Sequence, residues 1–224
     1  PRARVFAALG AHAMLERNPS HDLSLVMMRA AGACLMSSYE ASRREGWEWF
    51  EPDLSYDNAR LCEGLLKAGK ALDDRRMIDV GLVTLEWLTT VQTGPRGSFR
   101  PVGSNGFGRP YKMPLAYDQQ PLEAAATVDA AAIAFTIIGD EGWERVARDA
   151  FGWYFGDNDG GIPLADVATG GCFDGLMATG INRNQGAESI LALHLAAATM
   201  ADVFGSERTG QDQRGNAKAP VPTP

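Results

Sequence analysis

Apolar residues recur at spacings of three and four through seven segments of this chain, residues 2–17, 22–44, 56–72, 75–93, 121–138, 141–155 and 185–204. That period sets apolar side chains on one face of a helix, so each segment is predicted to be helical. Start and stop signals agree. Asp57, Pro121 with Glu123 behind it, and Asp140 with Glu141 stand where helices should begin, and Gly94, Gly139 and Gly205 where they should end. No segment alternates apolar and polar residues far enough to predict more than short β-ribbons within loops.

The joins between segments alternate in length. Asp73-Asp74 and Gly139-Asp140 are tight, whereas 94–119 and 156–184 are long. A short join followed by a long one predicts stacked αα-hairpins with the long loops gathered at one end. Three loop-to-helix junctions can be laid over one another: Tyr56-Asp57-Asn58, Tyr117-Asp118-Gln119 and Asn182-Arg183-Asn184. Asp57 and Asp118 lie 61 residues apart and Asp118 and Asn184 lie 66 apart, a length that suits one hairpin plus its loop. The helix after the third junction carries Leu, Ala and Met on nearly every face and is expected to be buried all round. Residues 1–205 are therefore expected to form one all-α domain. Residues 206–224, with three prolines and few apolar side chains, have the composition of a disordered tail. The first segment opens without a start methionine, which leaves open that the chain is a fragment of something longer.

Charge and composition narrow the function classes. A formal charge of −7 opposes binding of a polyanion, so no nucleic-acid partner is expected. No membrane partner is expected either, because no run of uninterrupted apolar residues reaches the length of a span and the N-terminus lacks the order of a secretory signal. The three cysteines, Cys34, Cys62 and Cys172, match no zinc spacing and are read as reduced thiols of a cytoplasmic protein. No cofactor and no metal centre is expected. Gly103–Gly108 lacks a dinucleotide-binding spacing, and Asp157-Asn158-Asp159-Gly160-Gly161 begins like a calcium loop but has Ala168 where the ligating Glu would stand. His194, within the most apolar helix, is expected to be a hydrogen-bonded core residue.

Three stretches carry a likeness to a known family: Trp47-Glu48-Trp49-Phe50-Glu51 with Tyr56-Asp57-Asn58-Ala59-Arg60, Tyr117-Asp118-Gln119-Gln120-Pro121-Leu122-Glu123, and Gly170-Gly171-Cys172-Phe173-Asp174 with Asn182-Arg183-Asn184-Gln185-Gly186-Ala187-Glu188. In these the chain resembles the α/α-toroid proteins, which include six-hairpin glycosidases and sugar epimerases. It is most similar to the helical regions C-terminal to family 4 glycosyltransferase domains of bacteria. The resemblance implies an (α/α)-toroid-like domain, here with fewer helices than a closed toroid and so an incomplete barrel. It also implies an oligosaccharide or polysaccharide as partner and an associated glycosyltransferase domain.

Glycoside hydrolysis needs two carboxylates, one to protonate the leaving oxygen and one to activate water or attack the sugar. Asp118 is the first candidate acid or base, with Asp57 or Glu188 as its partner. The competing reading makes Asp57 and Asp118 helix caps and lets Glu123 and Glu188 complement helix dipoles. Trp47, Trp49, Tyr56 and Tyr117 are candidates to stack on sugar rings, or else to pack a loop over the helix ends. Gln119, Glu123, Asp174, Asn182, Arg183, Asn184 and Gln185 are candidates to hydrogen-bond hydroxyls. The expected function is a carbohydrate-active domain that binds and hydrolyses or rearranges an oligosaccharide, with a non-catalytic glycan-binding or interaction domain as the alternative.

Overall fold

A computed structural model describes residues 1–205; the expectation for 206–224 lies outside the described residues. Seven α-helices dominate: α1 (Arg2–Arg17), α2 (Asp22–Ser42), α3 (Ala59–Leu72), α4 (Arg75–Val91), α5 (Pro121–Ile138), α6 (Glu141–Gly152) and α7 (Ala187–Thr199), which runs on into a π-helical turn, Met200–Phe204. The strands are short. β1 (Ala165–Asp166) pairs with β2 (Gly171–Cys172), and β3 (Gly175–Met177) with β4 (Gly180–Asn182), both antiparallel and both inside the loop before α7.

Two of the three predicted helix starts, Pro121 and Asp140, are realised. Asp140 accepts the Gly142 N–H (2.8 Å) ahead of α6, and Asp74, which the sequence marked only as part of a tight join, accepts the Met77 N–H (3.1 Å) ahead of α4. Pro121 fills the first turn of α5 and Gly139 ends that helix at φ +69°, a conformation open to glycine at little cost.

Helices α1 and α2, α3 and α4, and α5 and α6 pack as hairpins, while α3 also packs on α1 and α5, and α5 on α7. So α1, α3, α5 and α7 stand in a row, with α2, α4 and α6 behind them. Small residues permit this close stacking. A Cβ on Gly64 of α3 would come 2.8 Å from Val5 of α1, and one on Gly81 of α4 would come 2.8 Å from Leu66 of α3. The core has two large parts. One gathers Trp47, Trp49, Phe50, Leu61, Leu65 and Leu85 around α3, and the other gathers Trp153, Tyr154, Leu164, Cys172 and Leu176 under α5 and α7.

One of the two most apolar helices departs from what its sequence suggests. Pro121–Ile138 and Ala187–Phe204 are each long and apolar enough, by length and composition, to cross a bilayer, although their apolar runs are interrupted. The first is 67% buried at the centre of the row. The second, expected to be buried all round, is only 28% buried, because nothing among the described residues packs on its free side. His194 is exposed too, with Nε2 2.9 Å from the Gly170 carbonyl oxygen, so the core histidine expected here is a hydrogen-bonded surface residue.

Candidate functional site

The first turns of α1, α3, α5 and α7 meet at one end of the row. Arg2 donates through Nε to the Tyr56 carbonyl (2.7 Å) and through Nη1 to Glu51 (2.5 Å), which binds the start of α1 to the loop before α3. Asp57 does not cap α3 as expected. It adopts φ +54°, a left-handed conformation that Asp tolerates better than most residues, and its own backbone N–H is a donor. That N–H, the Asn58 N–H (3.2 Å) and Asn58 Nδ2 (3.1 Å) all donate to the Glu123 carboxylate, so a residue of α5 closes the end of α3. Glu123 is 1% exposed and therefore positions the junction without touching a ligand. Burial pushes its carboxyl up to about 7, against the pull of Asn58.

The Asp57 carboxylate lies 3.5 Å from Arg60 Nε, and no hydrogen-bond donor reaches it among the described residues. Burial pushes it up to about 6; Arg60 opposes this, while Glu63 and, more weakly, Glu188 add to it. Below it, Arg60 Nη1 lies 2.6 Å from Glu63 and 2.6 Å from Asp129 of α5. Lys67 Nζ sits 2.7 Å from Glu63, and Thr199 Oγ1 of α7 donates to Asp129 (2.5 Å). Burial would raise the Glu63 carboxyl, but Arg60 and Lys67 hold it below the ordinary value. This paired network closes the floor of a groove.

The groove is open and holds about 550 Å³. Tyr56, Asp57, Arg60 and Glu188 line its N-terminal end, Glu63 and Asp129 its floor, and Phe6, Leu9, Leu191 and Leu195 its walls. Tyr56 is 49% exposed, with the Arg2 guanidinium 5.2 Å from its ring centre. A more polar cavity of about 330 Å³ continues toward the C-terminal ends, past His12, Lys67, Thr199 and Asp202. Burial, and next the nearby Lys67, hold the His12 imidazole below its ordinary value.

Asp118 stands outside this groove lining. Its Oδ1 is buried without a hydrogen-bond partner and is packed against Gly175, where a Cβ would come 2.8 Å from it; burial raises its carboxyl. The next residue, Gln119, is fully buried and serves the fold. Its backbone exchanges hydrogen bonds with Leu176 (3.0 and 2.9 Å). Its side chain donates to Ala116 O (2.9 Å) and Asp159 (2.7 Å), and accepts from Trp153 Nε1 (2.8 Å). Arg100 grips the same Asp159 through two hydrogen bonds (2.5 and 2.9 Å), which with Gln119 keep that carboxyl below its ordinary value despite burial. Sequence reading missed Arg100 and Asp159, since nothing local marks two residues 59 apart as partners.

The third junction is also partly structural. Asp174 accepts from Gly186 N–H (2.7 Å), Ser189 Oγ (2.7 Å) and Asn184 Nδ2 (2.5 Å), and so closes the start of α7. Asn182 Oδ1 accepts the Asn184 N–H (3.2 Å), whereas Arg183 and Gln185 are exposed. Tyr117 is half-buried against the second core. Trp47 and Trp49 depart from the sugar-stacking expectation. They are 5% and 0% exposed; Trp47 packs edge-on to Tyr111, Trp49 stacks on Trp87, and neither ring presents a face to solvent. The loop that carries them must cover the ends of α2, α3 and α4, and the largest apolar surfaces available do so.

Of the expected site residues, Tyr56, Asp57 and Glu188 thus share one groove. Asp118, Asp174 and Asn184 stand in the adjoining loops, and Glu123, Gln119, Trp47 and Trp49 lie inside. Among the described residues no group of three or more His, Cys, Asp or Glu could hold a metal ion. No protein-family model matches this chain, and no curated protein is significantly similar to it in sequence.

Proposed function

We propose that this chain is a carbohydrate-active domain that binds an oligosaccharide at the N-terminal ends of α1, α3, α5 and α7 and cleaves it by carboxylate acid/base chemistry. The observation that carries this reading is the presence of two carboxylates from different hairpins, Asp57 and Glu188, on one open groove, with the Asp57 carboxyl pushed up to about 6. A carboxyl that keeps its proton near neutral pH can give it to a glycosidic oxygen. Glu188, exposed in the first turn of α7, is placed to take a proton from water or to attack the sugar. Asp118 stands in the adjoining loop, outside the groove lining, and Tyr56 offers a ring face to the sugar. The row of four helices backed by three supports an incomplete (α/α)-toroid, and an associated glycosyltransferase domain is the partner that the sequence resemblance supports. Three cysteines without a disulfide fit the reducing cytoplasm.

A second reading, a non-catalytic glycan-binding or interaction domain, draws support from Glu123 and Asp174, which are occupied in closing helix ends. The two separate when the protein is incubated with plant, bacterial and fungal glycans and new reducing ends are measured. Under the first reading products form and are lost in folded Asp57→Asn and Glu188→Gln variants. Tight binding without products would establish the second.

A further inference from the structure

The groove that holds Asp57 and Glu188 changes character along its length. Helices α1, α3 and α5 start at the same end, since Arg2 bonds to the loop before α3 and Glu123 bonds to Asp57 and Asn58. Glu188 opens α7 at the polar end of the groove, and Leu191 and Leu195 follow one and two turns on, so Leu195 lies about 10 Å further along. Facing them, Phe6 and Leu9 occupy the second and third turns of α1. Phe6, Leu191 and Leu195 are 45%, 59% and 55% exposed, unusual for large apolar side chains gathered in one concavity. The polar groups on the floor beneath them, Glu63 and Asp129, are already occupied by Arg60, Lys67 and Thr199.

A longer sugar chain would set hydroxyls against these walls and find few partners for them, at the cost of their hydration. The groove holds about 550 Å³. The volume falls within the usual range for a small ligand.

Building on the carbohydrate-active reading, we propose that the substrate is a glycoside with an apolar aglycone, its sugar at Tyr56, Asp57 and Glu188 and its alkyl or aryl group between Phe6, Leu9, Leu191 and Leu195. The glycosidic oxygen then falls at the boundary between the two halves, beside Asp57. Cleavage consumes one water. Asp57 protonates that oxygen, the bond from the anomeric carbon breaks with its electron pair going to the leaving alcohol, and water bonds to the anomeric carbon as Glu188 takes its proton.

The test is calorimetric titration of the protein with methyl, butyl and hexyl glycosides of glucose, galactose and mannose, all below micelle-forming concentrations, with 1-hexanol as the sugar-free probe. Affinity is expected to rise about three- to fourfold for each added methylene. Leu191→Ser, at an exposed position and checked for fold by circular dichroism, is expected to reduce the hexyl-to-methyl ratio. Equal binding of methyl and hexyl glycosides would overturn the aglycone proposal and leave the carbohydrate reading standing, as would a Leu191→Ser variant with an unchanged ratio. Hexanol binding as tightly as the hexyl glycoside would overturn it as well. If no glycoside binds and no glycan from the wider panel binds either, the carbohydrate reading itself fails.

Discussion

Helices α5 and α7 are similarly apolar along their length, yet 67% of one apolar window is buried and only 28% of the other. Each begins at a loop junction and carries a glutamate in its first turn, Glu123 and Glu188. The difference lies in the neighbours. Helix α5 has α3, α6 and α7 against it, and its alanines let all three approach, whereas α7 has α5 on one side and a groove on the other. Apolarity therefore states a demand for burial and not whether the demand is met. Where it goes unmet beside a pair of carboxylates, the leucines of α7 become a wall of the candidate site.

Replacing the two glutamates should break the similarity most clearly. Glu123→Ala removes the acceptor of two buried backbone N–H groups and of Asn58 Nδ2, and is expected to destabilise the fold by about 3 kcal/mol in urea unfolding. Glu188→Ala should leave stability within about 0.5 kcal/mol while abolishing glycan turnover. A result in which both cost the same would mean that α7 is packed as α5 is.

Next in size, Ala130→Leu overfills a fully buried position of α5 and should cost about 1–3 kcal/mol. Its counterpart on α7, Leu195→Ala, removes a half-exposed side chain, and its unfolding midpoint should shift little.

Proton linkage sharpens the contrast further. Asp57 and Glu123 have folded values of about 6 and about 7, above their ordinary 3.8 and 4.5, so the folded protein holds more protons than the unfolded chain between those limits. Their contribution to stability is fully present below about pH 4 and is lost as pH rises through about 6 to 7. Thermal melts across that window should show stability falling from this pair, and Glu123→Gln should flatten the slope more than Glu188→Gln. The smallest expected effect is that of Leu195→Ser, within about 0.5 kcal/mol on stability and visible chiefly in ligand affinity.

Much of the helical layout was legible because it depends on near neighbours in sequence. Spacings of three and four identified all seven helices, and Pro121, Gly139 and Asp140 are local signals that act within a few residues. The junction glutamate and aspartate were legible as chemistry and not as geometry. Asp57 has the side chain of a cap, but Glu123, 66 residues away, performs that task, and no property of either residue alone foretells the pairing. Trp47 and Trp49 carried the same ambiguity. An aromatic in a loop serves a ligand or a core equally well until the loop's path is known, and here the path turns both inward.

By itself the sequence determined that the chain is mainly helical, where its helices run, and that its long joins place acids and aromatics at loop-to-helix junctions. All of these follow from interactions spanning a few residues. Tertiary structure alone decided which acids face solvent, which close a neighbouring helix, and which of two equally apolar helices is buried, because each outcome depends on what another hairpin, some 60 residues distant, brings within a few ångströms.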